Sequence, residues 1–194
     1  MKRMKMLVVL AALGGLCGLT GLSAVADDKD KKEDKKEDKM SADREFAKKA
    51  SACGMAGVNL SQLAMVRSRD AAVRQFAQQI VNDHTNVNRA LIEWANRKQA
   101  PLARTMDEKH QKMFEELSKT DANKFDRAYM EGMVKAHEEA IKLFETESKD
   151  GKDEALKAWA DKALPTLKKH LETARDVSKK TKGEDEKRKD TSDR

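Results

Sequence analysis

The sequence predicts an all-α protein built around four long helices, with one long connection between the second and the third. Three observations carry this reading. Through positions 40–177 apolar side chains recur at steps of three and four, which is the spacing of one helix face. The chain has 4% aromatic residues and two prolines, with abundant Ala, Lys, Glu and Leu, a composition that favours long helices over sandwiches and barrels. Its 194 residues are about the length of one domain.

Helix A is expected from about Ser41 to Arg67, because Phe46, Ala50, Cys53, Gly57, Leu60 and Ala64 fall on one stripe. Helix B follows from Asp70 to about Gln99, with Val73, Phe76, Ile80, His84, Val87, Leu91 and Trp94 on its apolar face and Pro101 at its end. A connection of about twenty residues then carries a short helix near Met106–Leu117. Helix C starts after Thr120 or Asp121 as N-cap, and its stripe is Phe125, Tyr129, Met133, His137, Ala140 and Phe144. Asp150-Gly151 makes the next turn. Helix D begins near Asp153 and carries Leu156, Trp159, Ala163, Leu167, His170, Ala174 and Val177. Pro165 removes a backbone donor inside it and is expected to kink it. Short A–B and C–D turns make two helical hairpins. A link of about twenty residues is long enough to return along a ~40 Å helix, which leaves B and C parallel. That is a ferritin-like four-helix bundle.

The ends of the chain differ from this body. Lys2, Arg3 and Lys5 precede the uncharged stretch Met6–Ala26, which closes on Ala24-Val25-Ala26, the small-x-small pattern of a signal-peptide cleavage site. Residues 1–26 therefore read as a signal peptide cleaved after Ala26, which places the mature protein in the periplasm or otherwise outside the cytoplasm. Retention as an anchor is the alternative, since such a stretch just reaches across a bilayer. After cleavage no membrane span is expected. Asp27–Lys39 is charged at every position, so residues 27–40 are expected to form a disordered tether, and 178–194 a disordered charged tail. Loss of the three signal bases lowers the net charge from +6 to +3, spread along the chain. A nucleic-acid surface needs bases clustered on one face, so nucleic acid is set aside as a partner. Cys53 is the one cysteine of the mature chain. It reads first as a small buried residue, and pairing between chains would make a homo-oligomer.

Three motifs in order resemble one family. They are Phe76-Ala77 with Val81-Asn82-Asp83-His84-Thr85 on B, Phe125-Asp126-Arg127-Ala128-Tyr129-Met130 with Met133-Val134 and His137 on C, and Leu164-Pro165-Thr166-Leu167 with His170-Leu171 on D. Together they are similar to the bacterial exported, ferritin-like family called domain of unknown function 4142, whose members are often labelled periplasmic or outer-membrane proteins. The resemblance covers about Asp43 to Val177. It implies a ferritin-like bundle in the cell envelope with no established activity. Where the family pattern on helix A reads Gly-Met-x-Glu-Val-x-Leu, this chain has Gly54-Met55-Ala56-Gly57-Val58-Asn59-Leu60, so Gly57 stands in place of a carboxylate.

His84, His137 and His170 lie on the apolar stripes of three different helices. In the ferritin-like path they fall roughly 21, 24 and 15 Å from one end of the bundle, with Cys53 at roughly 21 Å, so convergence is permitted. Three neutral imidazoles suit zinc or copper, and Met133 or Cys53 would add a soft ligand for Cu(I). The plainer reading, favoured on sequence, makes them hydrogen-bonded core residues, since His110 also fits an apolar spacing with Met106, Met113 and Leu117. A di-iron oxidase is excluded by ligand type. Such sites use Glu-x-x-His, and the residues three before the histidines are Val81, Val134 and Leu167. No Gly-rich phosphate loop, nucleophile elbow or Cys-x-x-Cys pair occurs, so no catalytic residue is named. The expectation is a non-enzymatic exported bundle that acts by binding, in envelope stress tolerance. The alternative is a metal-binding (Zn or Cu) or metal-dependent redox protein centred on the three histidines.

Overall fold

The computed structural model describes the backbone of residues 27–192 and the side chains of residues 42–183. Residues 1–26, which carry the expected signal peptide, lie outside the described residues. The described chain forms α1 (Asp27–Arg67), α2 (Ala71–Lys98), α3 (Glu108–Lys119), α4 (Ala122–Asp150) and α5 (Glu154–Ser192), with no strand among the described residues. The apolar stripes expected for the four long helices are buried or half-buried at every position. Among the described residues no helix is long and apolar enough to cross a membrane.

Contacts fix the directions of the helices. Along α1 and α4, Phe46 meets Phe144 and Ser61 meets Tyr129, so these two run antiparallel. Along α2 and α5, Asp83 meets His170 and the Val87 carbonyl meets Trp159, again in opposite order. The α1–α2 and α4–α5 hairpins are antiparallel by their short turns. It follows that α2 and α4, on opposite corners, run in the same direction, as the long link required. That link carries α3, which packs on α1 and α4.

Arg67, in the last turn of α1, clamps the end of the link. Its guanidinium donates to the carbonyls of Leu117 at 2.8 Å, Ser118, and Thr120 at 2.6 Å, and lies 5.0 Å above the centre of the Phe125 ring. These carbonyls close the α3 C-terminus, where a cation is favoured.

The core is in two parts. One cluster holds Leu60, Phe76, Ile80, Phe125, Tyr129 and Met130; the other holds Phe46, Leu91, Trp94, Phe144, Leu156 and Leu167. The level between them is where α2, α4 and α5 place their histidines.

At four places the backbone adds detail to the expectations. Over the charged run 27–40, expected to be a disordered tether, α1 runs back to Asp27. Lys, Glu and Asp at helical spacing extend a helix already nucleated on the bundle at little cost. The tail likewise continues α5 to Ser192, and the packed body passes Val177: Ser178 and Thr181 are buried, and Lys182 pairs with Glu131 at 3.2 Å. The short helix starts at Glu108, because the side chain of Asp107 caps it by accepting the His110 N–H. Pro165, where a kink is expected, sits inside α5.

Candidate metal centre

His84 of α2, His137 of α4 and His170 of α5 meet at the middle of the bundle. One ring nitrogen from each lies within 4.8 Å of those of the other two, and ring centres are 5.5–5.8 Å apart. A point no more than about 2.8 Å from all three nitrogens therefore exists, close to the 2.0–2.1 Å of a metal–imidazole bond. The difference of less than 1 Å is within the reach of small side-chain rotations.

Each imidazole is oriented from behind. The Nδ1 of His137 is 2.8 Å from the carbonyl of Met133, one turn earlier on α4, and can only donate to it. Its Nε2 is left with a free lone pair. The Nε2 of His170 is 2.8 Å from Oδ2 of Asp83, which leaves Nδ1 free. His84 approaches the backbone of α1 at Gly54 and Gly57. Its Nε2 is also free. These three nitrogens, His84 Nε2, His137 Nε2 and His170 Nδ1, are buried and without a hydrogen-bond partner. Histidines that ligate metals are commonly held this way, with the second nitrogen on a carbonyl or carboxylate.

The electrostatics keep the rings neutral. Burial, with smaller contributions from the other two imidazoles, pushes His84 down to about 3. Burial likewise takes His137 down to about 4, against the opposing Met133 hydrogen bond. His170 is also lowered by burial, with Asp83 opposing. Neutral imidazoles with free lone pairs are the form that binds a metal.

The sequence-predicted residues divide between two places. The three histidines come together. Cys53 does not join them; its Sγ groups with a carboxylate oxygen of Asp107 and a ring nitrogen of His110, again within 4.8 Å of one another. Burial, then Asp107 and Glu139, push the Cys53 thiol up to about 11. Met133 is fully buried and serves the histidine site through its carbonyl. Asp83 and Asp107 escaped the sequence reading. Asp83 is next to His84 in sequence, whereas its partner His170 is on α5. Asp107 stands three residues before His110, an N-cap spacing that gave a local signal. A carboxylate on α1 at position 57 would have been a further candidate ligand, and Gly57 supplies none.

The family model described as "Domain of unknown function (DUF4142)" matches residues 29–177. Two solved structures are similar. The crystal structure of a DUF305 fragment from Deinococcus radiodurans has a TM-score of 0.64 at 17% identity, covering 72% of this chain and 96% of that one. CopM in the Cu(II)-bound form has a TM-score of 0.61 at 13% identity, covering 71% and 96%. At these identities the likeness is one of fold. No curated protein matches the chain.

Proposed function

Given that the chain belongs to the DUF4142 family, whose activity is unassigned, we propose that it is a non-enzymatic, exported metal-binding bundle that holds copper on His84, His137 and His170. The observation that carries this is the meeting of three imidazoles, each with one ring nitrogen within 4.8 Å of the others' and each with one buried ring nitrogen without a hydrogen-bond partner. Each would cost about 1–3 kcal/mol if left unsatisfied, and three such groups at one point in a core call for a common occupant. The plainer reading, core histidines hydrogen-bonded to one another, to backbone or to a carboxylate, accounts for His137 Nδ1 on Met133 and His170 Nε2 on Asp83, and it leaves the second nitrogen of each without a partner.

Copper is preferred to zinc on two supports. Imidazole suits both ions, but all three donors are neutral, so a monovalent ion leaves less uncompensated charge in the core than a divalent one. The second support is the likeness of fold to a protein solved with Cu(II) bound. The residues of this chain do the holding and orienting: Met133 and Asp83 fix which nitrogen of His137 and His170 faces inward. Copper bound there would be withheld from solvent, which fits a sequestering role in the cell envelope. The export itself rests on the Ala24-Val25-Ala26 cleavage pattern.

Thermal melting with EDTA, copper and zinc tests the proposal. Copper under reducing conditions should raise the wild-type melting temperature by several degrees, since a ligand of the folded state stabilises by mass action. His137→Ala should lose that rise. Identical wild-type curves in all conditions would overturn the proposal.

A further inference from the structure

Cys53, Asp107 and His110 form a second donor cluster that shares no residue with the three histidines. We propose that it is a separate metal site, suited to a borderline divalent ion of the zinc type. The cluster joins α1 to the start of α3, and its three donor atoms lie within 4.8 Å of one another. By the same geometry a point no more than about 2.8 Å from all three exists, against zinc bonds of about 2.0–2.3 Å.

The donors are built rather than incidental. His110 is buried, and its Nδ1 lies 2.6 Å from Oδ2 of Asp107, while Oδ1 of the same carboxylate accepts the His110 backbone N–H at 2.9 Å. Asp107 thus fixes both the helix start and the imidazole. Its side chain is partly exposed, which gives an ion a way in from solvent. Behind the cluster is a cavity with about 20 Å³ of free space, lined by Cys53, His110, Met133, His84 and His137.

Chemistry separates this site from the first. Sulfur, imidazole and carboxylate together match zinc and cobalt better than Cu(I), which disfavours carboxylate. A thiolate and a carboxylate also supply two negative charges to a divalent ion, whereas the inner histidines supply none. Binding releases the thiol proton to solvent, as coordination to such an ion requires. The site stands whether or not the inner histidines bind copper.

Cobalt(II), as a spectroscopic substitute for zinc, tests it on the full mature chain. Wild type should show a thiolate-to-cobalt charge-transfer absorption band that saturates at one equivalent and is displaced by zinc. Cys53→Ser should lose the band, and His110→Gln should weaken binding at least tenfold, with both variants melting within a few degrees of wild type in EDTA. His84→Ala should keep the band; His137→Gln makes the same comparison if His84→Ala does not fold. Absence of the band in wild type would overturn the proposal, and so would its loss in the inner-histidine variants, which would mean one shared site. Failure of copper to bind the inner histidines would leave this band untouched, so the two proposals fail separately.

Discussion

A methyl group added at Gly57 would lie 2.5 Å from Nδ1 and 2.7 Å from Cε1 of His84, closer than carbon approaches either. The ring would have to leave its place. Gly57→Ala is therefore expected to weaken copper binding at least tenfold, by competition titration, with a loss of about 1–3 kcal/mol in stability from overpacking. A second expectation concerns acid. Between about pH 6.5 and 4 the unfolded chain takes up protons that the buried imidazoles of His84 and His137 refuse, so stability falls as pH falls. Glu147 acts in the opposite sense. Burial, then Asp43 and Asp153, push it up to about 7, so the folded state keeps a proton that the unfolded state has released, and stability falls as pH rises from about 4.5 to 7. Glu147→Gln removes only the second effect. From pH 5 to 7 in EDTA its stability should rise by about 1–2 kcal/mol more than that of wild type, measured by urea denaturation. Helical spacing put the three histidines and Cys53 on inward faces before any coordinates, because burial on a helix follows a local period. Which nitrogen each ring turns inward was not legible, since Asp83 and His170 are 87 positions apart.

Among the elements, the link between α2 and α4 is held by side chains of α1: Ser51 accepts the Ala103 N–H near its start, and Arg67 clamps its end. Arg67 satisfies three carbonyls at the end of α3 and covers Phe125. Arg67→Ala is expected to cost about 1–3 kcal/mol and to lower the melting temperature by roughly 3–10 °C. Lys in its place restores the charge without the planar fork and should recover less than half. At the other end of the fold, a chain ending at Val177 removes the buried Ser178 and Thr181 and the Lys182–Glu131 pair. Its melting temperature should fall by at least about 3 °C relative to the full mature chain. The helix order and the parallel relation of α2 and α4 were legible from loop lengths alone, because a link of that size serves little purpose in an up-down bundle. The limits of α1 and α5 were not. Composition measures how little apolar surface a charged run can bury, but a helix already anchored on the core propagates through such a run without needing to bury any.

At the scale of the whole molecule, the two apolar clusters give the bundle its cohesion and the histidine level interrupts them. His84, His137 and His170 come one each from α2, α4 and α5, while α1 lines that level with Cys53, Gly54 and Gly57 and gives none of the three histidines. An ion held there is a three-way cross-link that closes two loops in the chain, 84–137 and 137–170. It would restrict three helices and leave the fourth untied. Amide hydrogen exchange should register this asymmetry: on adding copper, protection should rise in the middle turns of α2, α4 and α5 by a larger factor than in α1. A uniform rise in all four would mean that the ion stabilises only global unfolding. With the expected pattern, α1 is the helix that opens first at that level in the loaded protein.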